Sequence, residues 1–175
     1  MAGSLIKIDE EIVSSAVASV TLTGIDSTYD VYMFVFQKII ASGDSGFYLR
    51  VTKDVAGTPT PQTTSNYDRA SKRLFSNQAF SNVSSTNADN LDLAIFQSGT
   101  ASNGNGVFYL FNFNNSSEYS FITAESSNQD TRGYMSSGQG GGVYTVAEAH
   151  NGIHLYNFST ETFTSGRFVL YGLKK

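Results

Sequence analysis

Two histidines and a glutamate lie close together in the segment EAHNGIH, which runs from Glu148 to His154. On a helix, His150 and His154 would share a face, and Glu148 could complete a transition-metal site. The dipeptide Asn151–Gly152 between them is a strong turn signal, so we expect the two histidines to flank a turn instead. We therefore predict no transition metal in this segment.

A second polar cluster is NADNLD, from Asn87 to Asp92, which gathers the hard oxygen ligands that calcium requires. It lacks the glycine and the distal glutamate of an EF-hand loop. A loop rich in Asn and Asp also forms hydrogen-bonded turns without any metal. The sequence leaves a calcium ion at 87–92 open, and we predict that the fold needs no metal and no cofactor.

The sequence offers no complete set of catalytic residues. A Ser-His-acid triad needs a histidine base, and the two histidines have no Gly-x-Ser-x-Gly motif to serve. The acidic residues, such as Asp26 and Asp130, fall mainly in predicted turns, and there is no Trp for a sugar subsite of a glycoside hydrolase. The segment GQGGG (Gly138–Gly142) precedes a strand and lacks the Lys-Ser/Thr pair of a phosphate-binding loop. We expect no catalytic or cofactor-binding residues, and hence no enzyme.

The elements that would position any site are predicted to be strands. Alternating and apolar segments predict about ten of them, with Tyr29–Ile40 as the central one. The segments Ala41–Gly46 and Asn114–Ser117 are typical of hairpin turns. One short helix is predicted near 66–74. At 175 residues the chain is predicted to form a single domain, 1–175, with an all-β fold of antiparallel strands in a sandwich or barrel.

Aromatic residues are abundant, with 13 Phe and 10 Tyr. The closing segment GRFVLYGLKK, Gly166–Lys175, carries bulky residues on both sides of an extended chain, which predicts a strand covered on both faces. Tyr48, Tyr109 and Tyr144 are candidates for subunit or receptor contacts. The phenylalanines predicted to fill the core are Phe34, Phe36, Phe96, Phe111, Phe113 and Phe168.

Composition limits the classes of partner. Charged residues make up only 15% of the chain, the net charge is -4, and most basic residues are scattered singly, which argues against nucleic acid. There is no cysteine, and therefore no disulfide or thiolate metal site. Neither a signal peptide nor an apolar run long enough for a membrane span is visible. A polar but uncharged surface fits an exported β-protein, or one that meets glycans or neighbouring subunits.

Three segments carry a resemblance to a known family: MAGSLIKIDEEIVSSAVASVTLTGIDSTYDVYMFVF at 1–36, VFYLFNFNNSSEYSF at 107–121, and FTSGRFVLYGLKK at 163–175. Together they resemble short virion-associated structural or decoration proteins of tailed phages, many of them marine, which end in an LYG-[LI]-K motif. The resemblance implies a jelly-roll-like β-sandwich on the virion surface and supplies no catalytic residues.

The leading hypothesis from this resemblance is a capsid decoration protein. It would be made in the host cytoplasm and carried on the virion, and it would contact other virion proteins such as the major capsid protein. We expect a homo-oligomer, with a trimer favoured as in other phage surface proteins, whose contacts include Leu5–Ile12 and exposed aromatic side chains. The alternative is a tail-fibre receptor-binding tip that recognises a host surface glycan.

Overall fold

A computed structural model describes residues 4–43, 46–95, 103–129, 132–157 and 160–174. Within these ranges the protein has thirteen β-strands and no helix. The strands are β1 (Leu5–Val13), β2 (Ser19–Thr23), β3 (Val31–Ala41), β4 (Gly46–Val55), β5 (Thr58–Pro61), β6 (Tyr67–Phe75), β7 (Ser81–Ala88), β8 (Leu91–Ile95), β9 (Gly104–Phe111), β10 (Ser120–Gln129), β11 (Met135–Tyr144), β12 (Gly152–Asn157) and β13 (Phe163–Leu173).

The strands form two antiparallel sheets. The first has eight strands in the order β1-β13-β3-β9-β10-β11-β6-β7. The second has five, in the order β2-β12-β4-β5, with β8 also paired to β4. The buried side chains of both sheets form one hydrophobic core, so the predicted all-β antiparallel sandwich is confirmed.

Eight of these strands form four nested antiparallel pairs, like a single long hairpin that is folded over on itself. Strand β1 pairs with β13, β2 with β12, β3 with β9, and β4 with β8. Successive pairs alternate between the two sheets. This arrangement of nested antiparallel pairs in two sheets is the jelly roll, as the resemblance implied.

Two insertions widen the first sheet beyond the jelly roll. One lies between β4 and β8 and contributes β6 and β7; the other lies between β9 and β12 and contributes β10 and β11. The insertions join where β11 pairs with β6 over nine residue pairs, from Ser136–Phe75 to Tyr144–Tyr67. The result is a broad sheet whose outer face is far larger than a four-stranded jelly-roll sheet provides.

The prediction of a helix near 66–74 is wrong, because this segment is strand β6, which is hydrogen-bonded to β7 on one side and to β11 on the other. Its first residue, Tyr67, is buried and packs on Tyr144 with 4.8 Å between ring centroids. Arg69 and Arg73 lie four residues apart on one face of the strand, and both pair with Asp92 on β8. Side chains with a period of two and non-local pairing override the helix propensity of the segment.

The strand count rises from about ten to thirteen because polar and glycine-rich segments also form strands. The GQGGG segment lies inside β11 and not, as predicted, before a strand. A β-carbon on Gly140 would lie 2.5 Å from the carbonyl oxygen of Ala70, so the β11–β6 approach requires glycine there. Pro59 and Pro61 lie in β5, at an edge of the second sheet, where a missing N–H is tolerated.

Most of the predicted core is confirmed. Phe34, Phe36, Phe113 and Phe168 are fully buried, and the first two form a ring cluster with Phe108. Phe111 is an exception, because it is half-buried outside the core cluster, and Phe96 lies outside the described residues.

The closing segment is confirmed as a covered strand. Strand β13 lies between β1 and β3, with Phe168 and Leu170 buried in the core. Val169, which alternates with them, is also only 1% exposed. The inner face of the strand is therefore covered within one chain, whereas on its outer face Val169 is buried and Tyr171 is partly exposed.

Candidate functional site

A serine, a histidine and a glutamate lie next to one another at the end of the β-sandwich. The Oγ atom of Ser120 is 2.8 Å from Nδ1 of His150, and Oε1 of Glu148 is 3.5 Å from Nε2 of the same ring. Glu148 also forms an ion pair with Lys53. These residue types match a Ser-His-acid triad, so their accessibility decides whether they can act as one.

Burial argues against catalysis by this group. Ser120 is 1% exposed and His150 is 0% exposed, so a substrate has no path to the hydroxyl. The His150 ring packs against the rings of Phe113 and Tyr144 at centroid distances of 5.9 and 5.0 Å. Desolvation by this burial lowers the pKa of His150 to about 4, against the opposing effect of Glu148. The group is a structural network around a neutral histidine.

The second histidine lies elsewhere. His154 is on β12, where its Nδ1 is 2.8 Å from Oγ1 of Thr21 and its ring lies 5.8 Å from that of Tyr156. Burial and the nearby charge of Arg50 lower its pKa. The turn expected between the histidines is absent, because β12 begins directly at Gly152. Within the described ranges no three His, Cys, Asp or Glu side chains are grouped as a metal site.

The acidic residues considered for calcium are bound to arginines. Asp89 pairs with Arg50, and Oδ2 of Asp92 accepts a hydrogen bond from Arg73 at 2.8 Å. Asn90 accepts one from Nη1 of Arg69 at 3.1 Å. These ion pairs and hydrogen bonds therefore attach the β7–β8 connection to β4 and β6.

The outer face of the first sheet is rich in apolar side chains. Across β3, β9, β10 and β11 the register aligns Val31, Phe111, Phe121 and Val143 in one row. The next row aligns Tyr171, Met33 and Tyr109. None of these side chains belongs to the core, and Phe121 and Tyr109 are 46% and 37% exposed. We call these seven residues the apolar face.

Beside the apolar face the same sheet carries a polar depression. It consists of two adjoining hollows of about 450 and 380 Å³ that share Val107, Glu125 and Gln139. The first extends to Asn105 and Leu74, and the second extends to Tyr109 and Thr123. We call the two hollows together the β9–β11 groove.

Some of the polar side chains in this groove bind the protein itself: Asn105 accepts a hydrogen bond from the backbone N–H of Lys38, and Ser137 donates one to the carbonyl of Ser126. Gln139 donates a hydrogen bond from Nε2 to Oε1 of Glu125 at 3.1 Å. In the described part of the chain, the hydroxyls of Tyr109, Thr123 and Ser127 make no hydrogen bond to protein. Beneath the groove, close packing requires glycine at position 106, where a β-carbon would overlap the core ring of Phe36 and lie 2.5 Å from the carbonyl oxygen of Glu125.

The three tyrosines chosen as contact candidates have different positions. Tyr109 is on the apolar face and borders the groove. Tyr48 is half-buried and packs edge-on against Tyr156, on the second sheet. Tyr144 is buried in the core, so that candidate is wrong. Glu125 and Gln139 were missed because each is a single polar residue in a strand, and only the sheet register brings them together.

Comparison of the sequence with models of known protein families and with curated proteins found no match. The described residues contain no helix with the length and apolar character that crossing a bilayer requires.

Proposed function

We propose that this protein is a structural protein of a tailed-phage virion, in which a jelly-roll domain decorates the capsid and assembles with further copies of itself. The observation that carries this proposal is the apolar face, where Phe121 and Tyr109 are 46% and 37% exposed and the other five side chains are partly exposed. A face of this kind is costly in water and is typical of an interaction surface.

The size of the outer sheet face supports a second copy as its occupant. Eight strands spaced about 4.8 Å apart give a width of about 34 Å, and strands of ten residues are about 33 Å long. The projected area exceeds the roughly 800 Å² per partner of a standard interface. With few charged residues in the chain, such an interface meets little electrostatic repulsion.

The edge strand β1 extends this surface. Its register places Leu5 beside Leu173 of β13, and Leu5 and Ile12 are 51% and 64% exposed. Glu10, between these two residues, pairs with Lys7 on the same strand and with Arg167 on β13. The edge therefore also carries fixed charges, which disfavour open-ended strand addition. We therefore propose closed assembly through the sheet face, with a trimer favoured by the resemblance to phage surface proteins. The major capsid protein is the expected partner outside the oligomer.

The β9–β11 groove favours a second candidate function. A tail-fibre tip that recognises a host surface glycan needs an open polar hollow, and this groove offers one on a rigid sheet. Neither candidate needs a catalytic group, and we propose no enzymatic activity.

Quantitative mass spectrometry of purified particles separates the two candidates. A capsid decoration protein is expected in roughly hundreds of copies per particle. A tail tip is expected in roughly a few tens of copies. Antibody labelling viewed by electron microscopy then locates the copies on the head or the tail. Absence of the protein from purified particles would contradict both candidates.

A further inference from the structure

We infer that the β9–β11 groove is a binding site for a neutral saccharide. Its length along β9, from Asn105 to Tyr109, is four residue steps, or about 13 Å. Its width from β9 to β11 is two strand spacings, or about 10 Å. Together with the two hollows of about 450 and 380 Å³, these dimensions fit a short oligosaccharide lying along the strands.

The chemistry of the lining fits sugar hydroxyls. A sugar hydroxyl donates one hydrogen bond and accepts others, so its site needs both donors and acceptors. Gln139 and Glu125 keep acceptor oxygens available beyond the bond that joins them, and the hydroxyls of Thr123, Ser127 and Tyr109 serve as either donor or acceptor. The side chain of Val107 and the ring of Tyr109 supply apolar surface for the C–H face of a sugar.

The charge of the lining selects against anionic ligands. Among the described residues that line the groove, Glu125 is the one charged side chain. Lys72 on β6 is aligned with Gln139 on β11 but lies outside the lining, with its amine 5.7 Å from the centroid of the Phe80 ring. A carboxylated or sulfated sugar would therefore meet a negative charge with no counter-ion, whereas an uncharged sugar would not.

This inference deepens the second candidate function, because it names the ligand class that a receptor-binding surface would take. It does not depend on where on the particle the protein lies. Self-assembly and particle location are measured separately from saccharide binding. Because Tyr109 belongs to both the apolar face and the groove, Glu125→Ala is the variant that tests saccharide binding alone.

The test uses the full chain with five uncharged probes: maltotriose, cellotriose, triacetylchitotriose, mannotriose and lactose. The sialylated form of lactose is the charged match of the last probe. Binding is detected by saturation-transfer difference NMR and quantified by calorimetry. We expect at least one uncharged probe to bind, and lactose to bind at least as tightly as its sialylated form. Glu125→Ala and Tyr109→Ala should each weaken the bound probe by about tenfold or more.

Glu118→Ala is the matched control, since it removes an exposed carboxylate from the loop before β10 that lies outside the groove. It should leave affinity unchanged, and circular dichroism should show that all variants keep the wild-type fold. The inference is overturned if no uncharged probe binds, if Glu125→Ala binds as well as Glu118→Ala, or if sialylation strengthens binding.

Discussion

The Oγ atom of Ser120 lies 2.8 Å from Nδ1 of His150, and both residues are almost completely buried. Their neighbour Glu148 is held by Lys53 on β4, so one polar network connects β10, the segment before β12, and the second sheet. The ring of His150 is neutral at neutral pH because the cost of burying its charge outweighs the attraction of Glu148, whose Oε1 lies 3.5 Å from Nε2.

The network predicts that acid destabilises the fold. The pKa of His150 is about 4 in the folded protein, below the ordinary value of 6.5, because burial disfavours the charged ring. Its contribution to stability is therefore complete above about pH 6.5 and is lost as the pH falls toward 4. We expect the free energy of unfolding, measured with urea, to fall by about 2 kcal/mol between about pH 7 and pH 5.

The variant His150→Gln should be less stable at neutral pH but should lose most of this pH dependence. His154→Gln is the comparison, because the pKa of His154 is also lowered but the ring is only partly buried. If the two variants flatten the pH profile equally, the assignment to His150 is wrong.

The apolar face predicts a surface substitution that blocks assembly without unfolding the protein. Phe121→Glu places a charge on this face, and Phe80→Glu places the same charge on another exposed ring, in the β6–β7 loop. We expect light scattering to show Phe121→Glu as a monomer at concentrations where wild type and Phe80→Glu associate. A wild-type protein that stays monomeric at high concentration, or association unaffected by Phe121→Glu, would contradict the proposed interface.

The buried hydroxyl of Tyr67 predicts a cost for its removal. It donates a hydrogen bond to the carbonyl of Gln62 at 2.8 Å and accepts one from the backbone N–H of Val51 at 3.1 Å. Tyr67→Phe leaves both backbone groups without this partner, which should lower the free energy of unfolding by about 1–3 kcal/mol. Tyr119→Phe, at an exposed position, should change it by less than about 0.5 kcal/mol. Equal effects in chemical denaturation would show that the bonds at Tyr67 contribute nothing.

Close packing under the groove predicts that Gly106→Ala destabilises the fold by about 1–3 kcal/mol. The new methyl group would overlap the ring of Phe36, which is itself fully buried and has no room to move. Gly57→Asn is the contrasting change: the residue has a φ of +84° with nothing within 4 Å, and asparagine tolerates this conformation. We expect its melting temperature to stay near that of wild type.

The ion pairs of Asp89 and Asp92 predict that chelators leave stability unchanged. Since arginines bind these carboxylates, no cation is needed to hold the β7–β8 connection. Melting temperatures with and without EDTA should agree within about 1 °C. A drop of several degrees that excess calcium reverses would show that this cluster binds metal after all.

The apolar strands of the jelly roll could be predicted from sequence because their patterns are local. In β3, Tyr32, Phe34 and Phe36 alternate with less buried residues, and in β13 Phe168 to Leu170 form a continuous apolar run. The insertions could not be predicted in this way. Strand β7 has no strong alternation, and β6 carries helix-forming residues that become a strand only because β11 and β7 bind both its edges.

The candidate site was still harder to predict. The groove draws Val107, Glu125 and Gln139 from three strands, and none of these residues belongs to a sequence motif. Motif reasoning pointed to His150 and His154, because histidines are rare and chemically distinctive. In the structure, His150 is buried in the core and His154 lies on the surface of a strand, so both have packing roles. The groove is formed by residues of common types.

The nested antiparallel pairs also set the order in which the chain can fold. Strands β1 and β3 do not touch as neighbours in the first sheet; β13 lies between them and hydrogen-bonds to both, and the N–H of Lys174 bonds to the carbonyl of Ser4. Because β13 follows every other described strand in the chain, the position between β1 and β3, next to the edge of the sheet, stays empty until β13 has been synthesised. Filling this position joins segments more than 150 residues apart, as in Leu5 with Leu173, so we expect the pairing of β13 to be a slow step in folding.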